Sequence, residues 1–513
     1  MSGCILRYGH LVVTLRRIKM SDIKRRDFLK GALASAVTAG VFSASSASAE
    51  ILCPGEKIKW DDTQDIVVIG TGFAGLTAAI HAKLSGGSPV IFEKRGLIGG
   101  NSSLSTAWLN AAETTIQRDK FGIKDDTHEI HFKDTLKGGD YKNDPVLVKK
   151  LTDEVTESVE WLKSLGAPFP KVVFLGGASK KRAHAVSNEY GGGLVKLLYD
   201  QVKELKIPVK KKTKVIDFIV DMGKDGSREL KGLKIDQNGK TKYVRVKKAV
   251  IIATGGFGSS KELVERYDPS LVGYSTTNFD DVSTGEAMVA AMECGADTSG
   301  INYIQIHPTL SRSESGKGNI LITEGLRGTG FILVNVNAKR FVQDLDRRDV
   351  VSAAILEQPQ KYAILIGSKE TYDNKVADYI KLGLAYEANT MEELAVKAKL
   401  DPAVLKATID EYNGYVKQGK DPVFNRKDVS IPILTAPFYA IPCQPAIHHT
   451  MGGLRINTDG QVIDLEGKVI KRMYAAGEVT GGIHGTNRLG GNAVADCLTF
   501  GRLAAKKAVT EQG

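Results

Sequence analysis

The stretch that decides the fold is Asp65-Ile66-Val67-Val68-Ile69-Gly70-Thr71-Gly72-Phe73-Ala74-Gly75. It begins as a short apolar run, typical of a buried strand, and continues into a G-x-G-x-x-G motif. Gly70 permits a tight turn, Gly72 lets the backbone approach a pyrophosphate at a helix N-terminus, and Gly75 lets that helix pack closely on the strand. The stretch therefore predicts a strand, a turn and a helix through about Leu84, arranged to bind a dinucleotide.

The following segment strengthens this prediction. Pro89 to Phe92 is a second apolar strand, and it ends at Glu93, where a carboxylate can accept hydrogen bonds from a ribose. A G-x-G-x-x-G motif alone is weak evidence. The order of strand, glycines, helix, strand and acid is specific, and it predicts dinucleotide binding.

Three later glycine segments indicate which dinucleotide is bound. They are Gly99-Gly100-Asn101-Ser102-Ser103, Ala253-Thr254-Gly255-Gly256 and Ala475-Ala476-Gly477-Glu478. Each alone could be an ordinary glycine turn. In this order they resemble the flavin-contacting segments of flavoproteins with two dinucleotide domains, and the resemblance implies FAD rather than NAD.

A second cluster of charged residues lies in the glycine-rich stretch Thr323-Glu324-Gly325-Leu326-Arg327-Gly328-Thr329-Gly330 and continues through Lys339-Arg340-Phe341 to Arg347-Arg348-Asp349. Arginine presents a rigid fork of donors that matches a carboxylate and stays charged at working pH. Several arginines in one segment therefore predict an acid substrate. Beside the dinucleotide motif, they indicate redox chemistry on an anion.

Composition excludes some classes of function. The 513 residues, 42% of them hydrophobic, are enough for two or three domains. Of the formal net charge of +11, residues 1–49 supply +6, because they hold eight Lys/Arg and two Asp/Glu. The residues after 49 supply the remaining +5, and they contain no basic runs interleaved with aromatic residues. This argues against a nucleic-acid-binding protein.

The N-terminus is predicted to be an export signal. Lys24 to Lys30 contains Arg25-Arg26, an apolar stretch from Gly31 to Phe42 follows, and Ala47-Ser48-Ala49 forms a small-residue cleavage site. The pattern resembles a twin-arginine signal, which exports folded proteins to the periplasm. The alternative is a basic amphipathic helix of the mature protein. Met20 is a possible true start, and no later apolar run is long enough to span a bilayer.

Cysteine spacing gives no sign of a metal or haem site. Cys53, Cys294, Cys443 and Cys497 follow the signal, and none of them forms a C-x-x-C pair or a C-x-x-C-H haem motif. We expect no metal and no covalent c-type haem in this chain.

Five further motifs resemble a known family. They are His307-Pro308-Thr309, Thr323-Glu324 with Arg327, Arg348-Asp349, His448-His449-Thr450-Met451-Gly452-Gly453 and His484-Gly485-Thr486-Asn487-Arg488-Leu489-Gly490-Gly491-Asn492. From about Asp61 to the end, the chain resembles the soluble fumarate reductase and flavocytochrome c flavoproteins of the succinate dehydrogenase/fumarate reductase family. The resemblance implies an α/β fold with a glutathione-reductase-like FAD-binding domain and an inserted α+β clamp, or capping, domain.

The expected domain organisation follows from that resemblance. Residues 1–49 would be the signal, 50–305 and 449–513 a discontinuous FAD-binding domain, and 306–448 the clamp. Strand-like stretches at Lys214 to Val220 and Tyr243 to Val250 predict an antiparallel insertion within 205–249. Helical patterns at Met391 to Lys399 and Pro402 to Gln418 are expected in the clamp.

The resemblance also assigns roles to single residues. Flavin N5 would supply a hydride to a C=C bond, while His448 and Arg488 bind the conjugated carboxylate and His307 with Thr323 binds a second one. Arg348 would donate the proton, and Glu324 with Arg327 would return it. The expected cofactor-binding residues are Gly70, Gly72, Phe73, Ala74, Gly75, Glu93, Lys94, Gly100, Asn101, Ser102, Thr254, Gly255, Gly256, Gly477, Glu478, Arg488, Gly491, Asn492 and Ala493.

Substrate and electron donor are predicted partly from absences. His307, Thr323 and Glu324 favour a small dicarboxylate such as fumarate, and Leu321 is placed to touch it. Family members that oxidise succinate in membrane complexes typically attach FAD through a histidine near this Gly-Gly loop; segment 99–105 has no histidine, so the resemblance implies noncovalent FAD. Electrons would come from a separate partner, a periplasmic multihaem cytochrome c.

Three alternatives stay open. They are a reductase of another 2-enoate (methacrylate, urocanate or an aryl acrylate), a steroid-type dehydrogenase, and a non-catalytic electron-relay flavoprotein. The steroid chemistry is disfavoured because it would need tyrosines in place of His307 and Arg348.

Overall fold

The computed structural model describes residues 58–188, 190–312, 320–372 and 374–511. The predicted signal, residues 1–49, lies outside the described residues. Within them, no helix has the length and apolar character needed to cross a membrane.

The β-strands are β1 (Asp62–Ile69), β2 (Pro89–Phe92), β3 (Trp108–Asn110), β4 (Val172–Val173), β5 (Ala183–Ala185), β6 (Val209–Lys210), β7 (Thr213–Met222), β8 (Arg228–Gln237), β9 (Lys240–Ile252), β10 (Thr298–Ser299), β11 (Ile304–Ser311), β12 (Ile332–Val334), β13 (Ala363–Gly367), β14 (Tyr386–Ala388), β15 (Phe438–Thr450), β16 (Gly453–Arg455), β17 (Gln461–Ile463), β18 (Val469–Ala475) and β19 (Thr480–Gly481). The α-helices are α1 (Phe73–Leu84), α2 (His128–Gly138), α3 (Pro145–Ser164), α4 (Tyr190–Glu204), α5 (Lys261–Tyr267), α6 (Glu286–Glu293), α7 (Gly325–Gly328), α8 (Arg348–Leu356), α9 (Asn374–Lys381), α10 (Met391–Lys397), α11 (Pro402–Gln418) and α12 (Asn492–Thr510).

An eight-stranded sheet with a parallel core forms the centre of the molecule. In this core the strands run in the order β18-β9-β1-β2-β6, and each neighbouring pair is parallel. The carboxyl ends of parallel strands meet at one edge, where open α/β sheets bind their ligands. The glycine segments that follow β1, β9 and β18 therefore lie side by side, together with Glu93 after β2.

The quoted stretch folds as predicted. Strand β1 is apolar and buried from Ile66 to Ile69, because it lies between β2 and β9 with helices on its faces. Helix α1 begins at Phe73 after Gly72 and ends at Leu84, and it packs against α12 near the C-terminus. The strand starts three residues earlier than predicted, at Asp62.

The predicted antiparallel insertion is confirmed and has three strands. β7 pairs antiparallel with β8, and β8 pairs antiparallel with β9. Strand β9 is long enough to belong to both arrangements, since Lys240 to Arg245 pairs antiparallel with β8 and Val244 to Ile252 pairs parallel with β1. The insertion is thus an extension of the central sheet.

A second, antiparallel sheet covers the carboxyl edge of the first. Its order is β11-β15-β13-β12, and β14 pairs with β15. Helices α10 and α11 pack on this sheet, as the periodicity predicts, although α10 ends two residues early, at Lys397. Strands β11 and β15 matter most for function, since they carry His307 and His448.

We predict that Gly75→Ala destabilises the fold by about 2 kcal/mol or more, although alanine normally stabilises a helix. A side-chain carbon at Gly75 would lie 2.1 Å from the carbonyl oxygen of Gly70 and force α1 away from β1. Thermal unfolding measures this, with Gly192→Ala in α4 as the control, because no atom of the described residues lies within 4 Å of a side-chain carbon at that position. Equal stability of the two variants would contradict the packing argument.

Candidate active site and cofactor cleft

A large cleft opens at the carboxyl edge of the central sheet. Its walls come from all the segments that the sequence singled out for dinucleotide binding, and it extends to the second sheet at Leu321, His448 and His449. The predicted cofactor-binding residues that line it are Gly70, Gly72, Phe73, Ala74, Glu93, Lys94, Gly100, Asn101, Ser102, Thr254, Gly255, Glu478, Arg488 and Ala493.

The first turn of the cleft depends on glycine. Gly70 has φ +105°, and a side-chain carbon there would lie 2.4 Å from the carbonyl oxygen of Ala253. Gly72 caps α1 without a side-chain hydrogen bond, so the positive end of the helix faces the cleft. Ser102 Oγ accepts a hydrogen bond from Phe73 N at 3.0 Å and holds the Gly100–Ser103 turn against this helix end. Such a cradle fits a pyrophosphate.

Glu93 has the geometry expected of a ribose acceptor. Its Oε2 accepts hydrogen bonds from Thr71 N (3.1 Å) and Thr71 Oγ1 (2.5 Å), and its Oε1 accepts one from Arg95 N (2.8 Å). These contacts fix the carboxylate at the end of β2. The sequence pattern did not single out Thr71, because it occupies a variable position of the motif.

Several polar atoms at the cleft lack partners among the described residues. They are Thr254 Oγ1 and both ring nitrogens of His449, all of them buried. Buried polar groups are costly to leave unpaired, so these atoms indicate that a polar ligand completes the cleft. A dinucleotide with a polar ring system satisfies this requirement.

The other predicted cofactor residues do not line the cleft and instead support its wall. A side-chain carbon at Gly256 would lie 2.0 Å from Thr450 Oγ1, and one at Gly477 would lie 2.9 Å from Ala74 Cβ. Asn492 accepts hydrogen bonds from Asn110 and His131. Gly75 and Gly491 similarly approach Gly70 and Asn110.

Arg348 forms the centre of the charged cluster. It lies at the start of α8, is 6% exposed, and donates from Nε and Nη2 to Glu324 Oε2 at 2.7 and 2.5 Å. Nη1 donates to Gln305 Oε1 at 2.9 Å. These bonds use three of the five N–H groups, and the described residues leave the other two for a ligand.

Glu324 joins Arg348 to Arg327. Its Oε1 accepts a hydrogen bond from Gly176 N at 2.9 Å and lies 3.5 Å from Arg327 Nη2. Burial raises the pKa of Glu324, but the attraction of the two guanidinium groups outweighs it and the net shift is downward. Burial lowers the pKa of Arg327, whose Nε and Nη2 have no hydrogen-bond partner among the described residues.

The two histidines of the site are neutral. Burial, followed by the charge of Arg348, lowers the pKa of both His307 and His448 well below its usual value. His307 Nδ1 accepts a hydrogen bond from Thr309 N at 3.2 Å, so the neutral ring carries its proton on Nε2. The two rings lie 4.9 Å apart between centroids, and Thr277 Oγ1 is 2.7 Å from His448 Nδ1.

Arg488 and Glu478 complete the site next to the cleft. Burial and the nearby Arg348 lower the pKa of Arg488 to about 9, which leaves the guanidinium charged at neutral pH. Burial raises the pKa of Glu478 to about 7, against the hydrogen bond from Thr450 N. Arg488 Nε has no partner among the described residues.

Comparison with known proteins identifies the family. A family model described as an FAD binding domain matches residues 65–494. The chain is 41% identical to "Fumarate reductase (cytochrome)" of Shewanella frigidimarina over 87% of its own length and 77% of that protein. The chain belongs to the fumarate reductase flavoprotein family. It is an FAD-dependent oxidoreductase of the fumarate reductase type, and FAD is its cofactor.

Two further comparisons show how much of the chain the similarity covers. The chain is 32% identical to the acrylate reductase flavoprotein subunit of Shewanella woodyi, over 94% of this chain and 97% of that one. A solved structure of the open conformation of a flavocytochrome c3 fumarate reductase aligns with a TM-score of 0.69 and 34% identity, covering 96% of this chain and 82% of that one. The predicted fold class, with its capping domain, is confirmed. The domain boundaries stay a prediction.

Sequence reasoning missed Gln305, which connects the site arginines. Its Nε2 donates to Asn487 Oδ1 at 2.8 Å and to Arg488 O at 2.7 Å, while its Oε1 accepts from Arg348. Gln305 therefore fixes the spacing between the segments that carry these two arginines. It lies two residues before His307 on β11, and only its proximity to that motif could have suggested a role.

Arg347 bridges separate segments of the chain. It forms a two-point ion pair with Asp140, with Nη2 donating to Oδ2 at 2.9 Å. Asp140 also accepts a hydrogen bond from Thr486 Oγ1 at 2.5 Å. The bridge links the residue before Arg348 to the loop that carries Arg488.

We predict that Glu478→Gln reduces the pH dependence of stability in protein stripped of FAD. A carboxyl whose pKa rises from 4.5 to about 7 on folding stabilises the fold at low pH, and that stabilisation is lost as pH rises towards 7. Between pH 5 and 8, the wild type should lose about 2 kcal/mol more of its unfolding free energy than the variant.

Urea unfolding at several pH values measures this difference. Glu129→Gln is the control, because that side chain is 56% exposed and pairs with Lys133 on the surface. Parallel pH profiles for wild type and Glu478→Gln would contradict the raised pKa.

Proposed function

We propose that the protein reduces the C=C bond of a small unsaturated dicarboxylate, with fumarate to succinate as the best fit. The supporting observation is the buried group of Arg348, Arg327 and Arg488, with Glu324 as the carboxylate between them. The neutral histidines add no charge, and Glu478 is half protonated near pH 7. These groups hold a surplus of positive charge that a dianion neutralises.

Two pairs of donors are assigned to the two carboxylates. Arg488 and His448 bind the carboxylate conjugated with the reacting carbon, and His307 with Thr323 binds the distal one. Both Arg488 and His448 line the cofactor cleft, which supports placing the conjugated carboxylate near the ring system. Negative charge that develops on this carboxylate during reduction is stabilised by a guanidinium already held in place.

FAD, when bound in the cleft, supplies the hydride for one carbon of the double bond. Arg348 donates the proton to the neighbouring carbon through one of the N–H groups not engaged by Glu324 or Gln305. An unperturbed guanidinium, with a pKa above about 12, is a weak acid, but a carbanion is a strong enough base to take its proton. The two-point contact with Glu324 holds the guanidinium in a single orientation.

Glu324 and Arg327 return the proton to Arg348. Arg348 Nη2 donates to Glu324 Oε2 at 2.5 Å, while Arg327 Nη2 forms an ion pair with Glu324 Oε1 at 3.5 Å, a contact that must shorten to a hydrogen bond for the proton to pass. The lowered pKa of Arg327 supports this role, because it eases release of the proton.

Acrylate is the second candidate substrate. It is favoured by the near-complete mutual coverage between this chain and the acrylate reductase flavoprotein subunit. Acrylate has a single carboxylate, so it would use Arg488 and His448 and leave His307 and Thr323 without a ligand. Urocanate and methacrylate also differ from fumarate at the end of the molecule where its distal carboxylate lies.

Location and electron donor complete the proposal. Export by the twin-arginine pattern of residues 24–49 would place the protein in the periplasm. Electrons would come from a separate multihaem cytochrome c, since the sequence has no C-x-x-C-H motif of its own. FAD would be held noncovalently.

We predict that Arg348→Ala lowers kcat for fumarate by about 10²- to 10⁴-fold, the range for loss of a general acid. Anaerobic oxidation of a reduced viologen dye measures turnover, and the visible spectrum measures bound FAD. FAD should stay bound, because Arg348 does not line the cofactor cleft. Arg455→Ala, a surface change at a residue paired with Asp297, should leave kcat unchanged.

We also predict a preference for fumarate over acrylate and urocanate in kcat/KM, measured with the same assay. A preference for acrylate would retain the roles of Arg348 and Arg488 and overturn the assignment of a distal carboxylate. Flavin that is bleached by reductant and restored by none of the three would instead favour the electron-relay alternative.

A further inference from the structure

Trp108 has a buried hydrogen-bond donor without a partner. The residue begins β3, is 7% exposed, and packs against Leu175, Ala183 and Ala185. Its Nε1 forms no hydrogen bond with any described residue. An unpaired buried N–H is unfavourable, so a native structure retains one where a ligand or water accepts it.

The N–H edge of the indole ring faces the segment that carries Thr323. A side-chain carbon at Gly325 would lie 2.9 Å from Trp108 Cζ2, 3.2 Å from Trp108 Nε1 and 3.2 Å from Thr323 Oγ1. The indole N–H and the threonine hydroxyl therefore border the same point. They are close enough to contact the two oxygens of one carboxylate.

Thr323 is held in a fixed position to act with Trp108. Its N–H donates to Tyr379 Oη at 3.1 Å, and its Oγ1 accepts a hydrogen bond from Gly325 N at 3.1 Å. The hydroxyl hydrogen has no acceptor among the described residues. Two neutral donors, one from an indole and one from a hydroxyl, thus lie together next to the charged cluster.

Only glycine at position 325 lets the backbone approach the indole edge and the threonine hydroxyl this closely. Any larger residue would place its side-chain carbon against the indole edge and the hydroxyl at once. A neutral donor pair of this kind suits an anionic acceptor, because hydrogen bonds to a charged group are about twice as strong as neutral ones. His307, with its proton on Nε2, is a third neutral donor of the same type.

We infer that Trp108 determines substrate specificity, its indole N–H donating a hydrogen bond to the distal carboxylate of the substrate beside Thr323. This inference rests on the proposed function, which assigns Thr323 to that carboxylate. It adds a residue that none of the five family motifs contains. It makes the distinction between di- and monocarboxylate enoates depend partly on one N–H group.

The test is Trp108→Phe, which keeps an aromatic ring and removes the N–H. In the holoenzyme, kcat/KM for fumarate should fall about 10- to 100-fold, mainly through KM. For acrylate, which has no distal carboxylate, kcat/KM should change less than about twofold. The control is Trp161→Phe, at a partly buried tryptophan whose ring contacts the His81 ring at 4.5 Å between centroids, and it should change kcat/KM for neither substrate.

A binding measurement separates this inference from the proposed function. Succinate and propionate, the saturated dicarboxylate and monocarboxylate, are titrated into the oxidised holoenzyme, and binding is followed by the shift of the oxidised flavin bands, which is distinct from the bleaching that reverse hydride transfer would cause. Trp108→Phe should weaken succinate about 10-fold or more and leave propionate unchanged. Equal losses for both ligands, or no loss for either, would overturn the role of Trp108.

The proposed function fails under a different result. If the wild type does not reduce fumarate, the function is wrong whatever Trp108 does, while selective loss of succinate binding would still support the indole contact. If the wild type reduces fumarate and Trp108→Phe matches it on both substrates, only the inference about Trp108 is wrong.

Discussion

The buried ion pair between Glu324 and Arg348 is the interaction on which the rest of the site depends. A carboxylate this deep in the protein is stable only if every oxygen is compensated, and Glu324 has Arg348 on Oε2 and both Gly176 N and Arg327 near Oε1. The surrounding backbone must be glycine to allow this approach. Side-chain carbons at Gly176 and Gly490 would lie 2.7 and 2.6 Å from the two carboxylate oxygens.

This constraint connects parts of the chain that are far apart in sequence. Gly176 follows β4 and Gly490 precedes α12. Glu324 and Arg348 lie between strands β11 and β13 of the second sheet. Because these segments meet at one carboxylate, a shift of any of them would leave a buried charge without its partners. Gln305 makes a similar connection with a neutral side chain, because it accepts a hydrogen bond from Arg348 and donates one to the backbone carbonyl of Arg488. Distances between the reacting groups are thus set by hydrogen bonds and not by loop length.

A local rule of sequence predicts part of the cofactor cleft. Gly70, Gly72 and Glu93 follow from the mechanics of a strand, a turn and a helix, and the structure places all three at the cleft. Gln305 and Trp108 could not be predicted in this way. Their contacts are with residues 43 to 217 positions away, and a glutamine or tryptophan in a short strand has no local signature of function. Gly256 and Gly477 do not line the cleft, and side-chain carbons there would meet Thr450 and Ala74; their contact with the cofactor stays a prediction.

Burial has different effects on the charges of the histidines and of the arginines. Imidazoles lose their charge when they are removed from water, because their usual pKa lies close to neutral, whereas a guanidinium retains its charge even when its pKa falls to about 9. The same dry environment therefore yields neutral donors at His307 and His448 and fixed charges at Arg348 and Arg488. Glu324 compensates only part of the positive charge of the arginines. The remaining charges repel one another, and an anion relieves that repulsion on binding. A dianion relieves it more than a monoanion does, so the preference for a second carboxylate arises from the charges as well as from the distal donors.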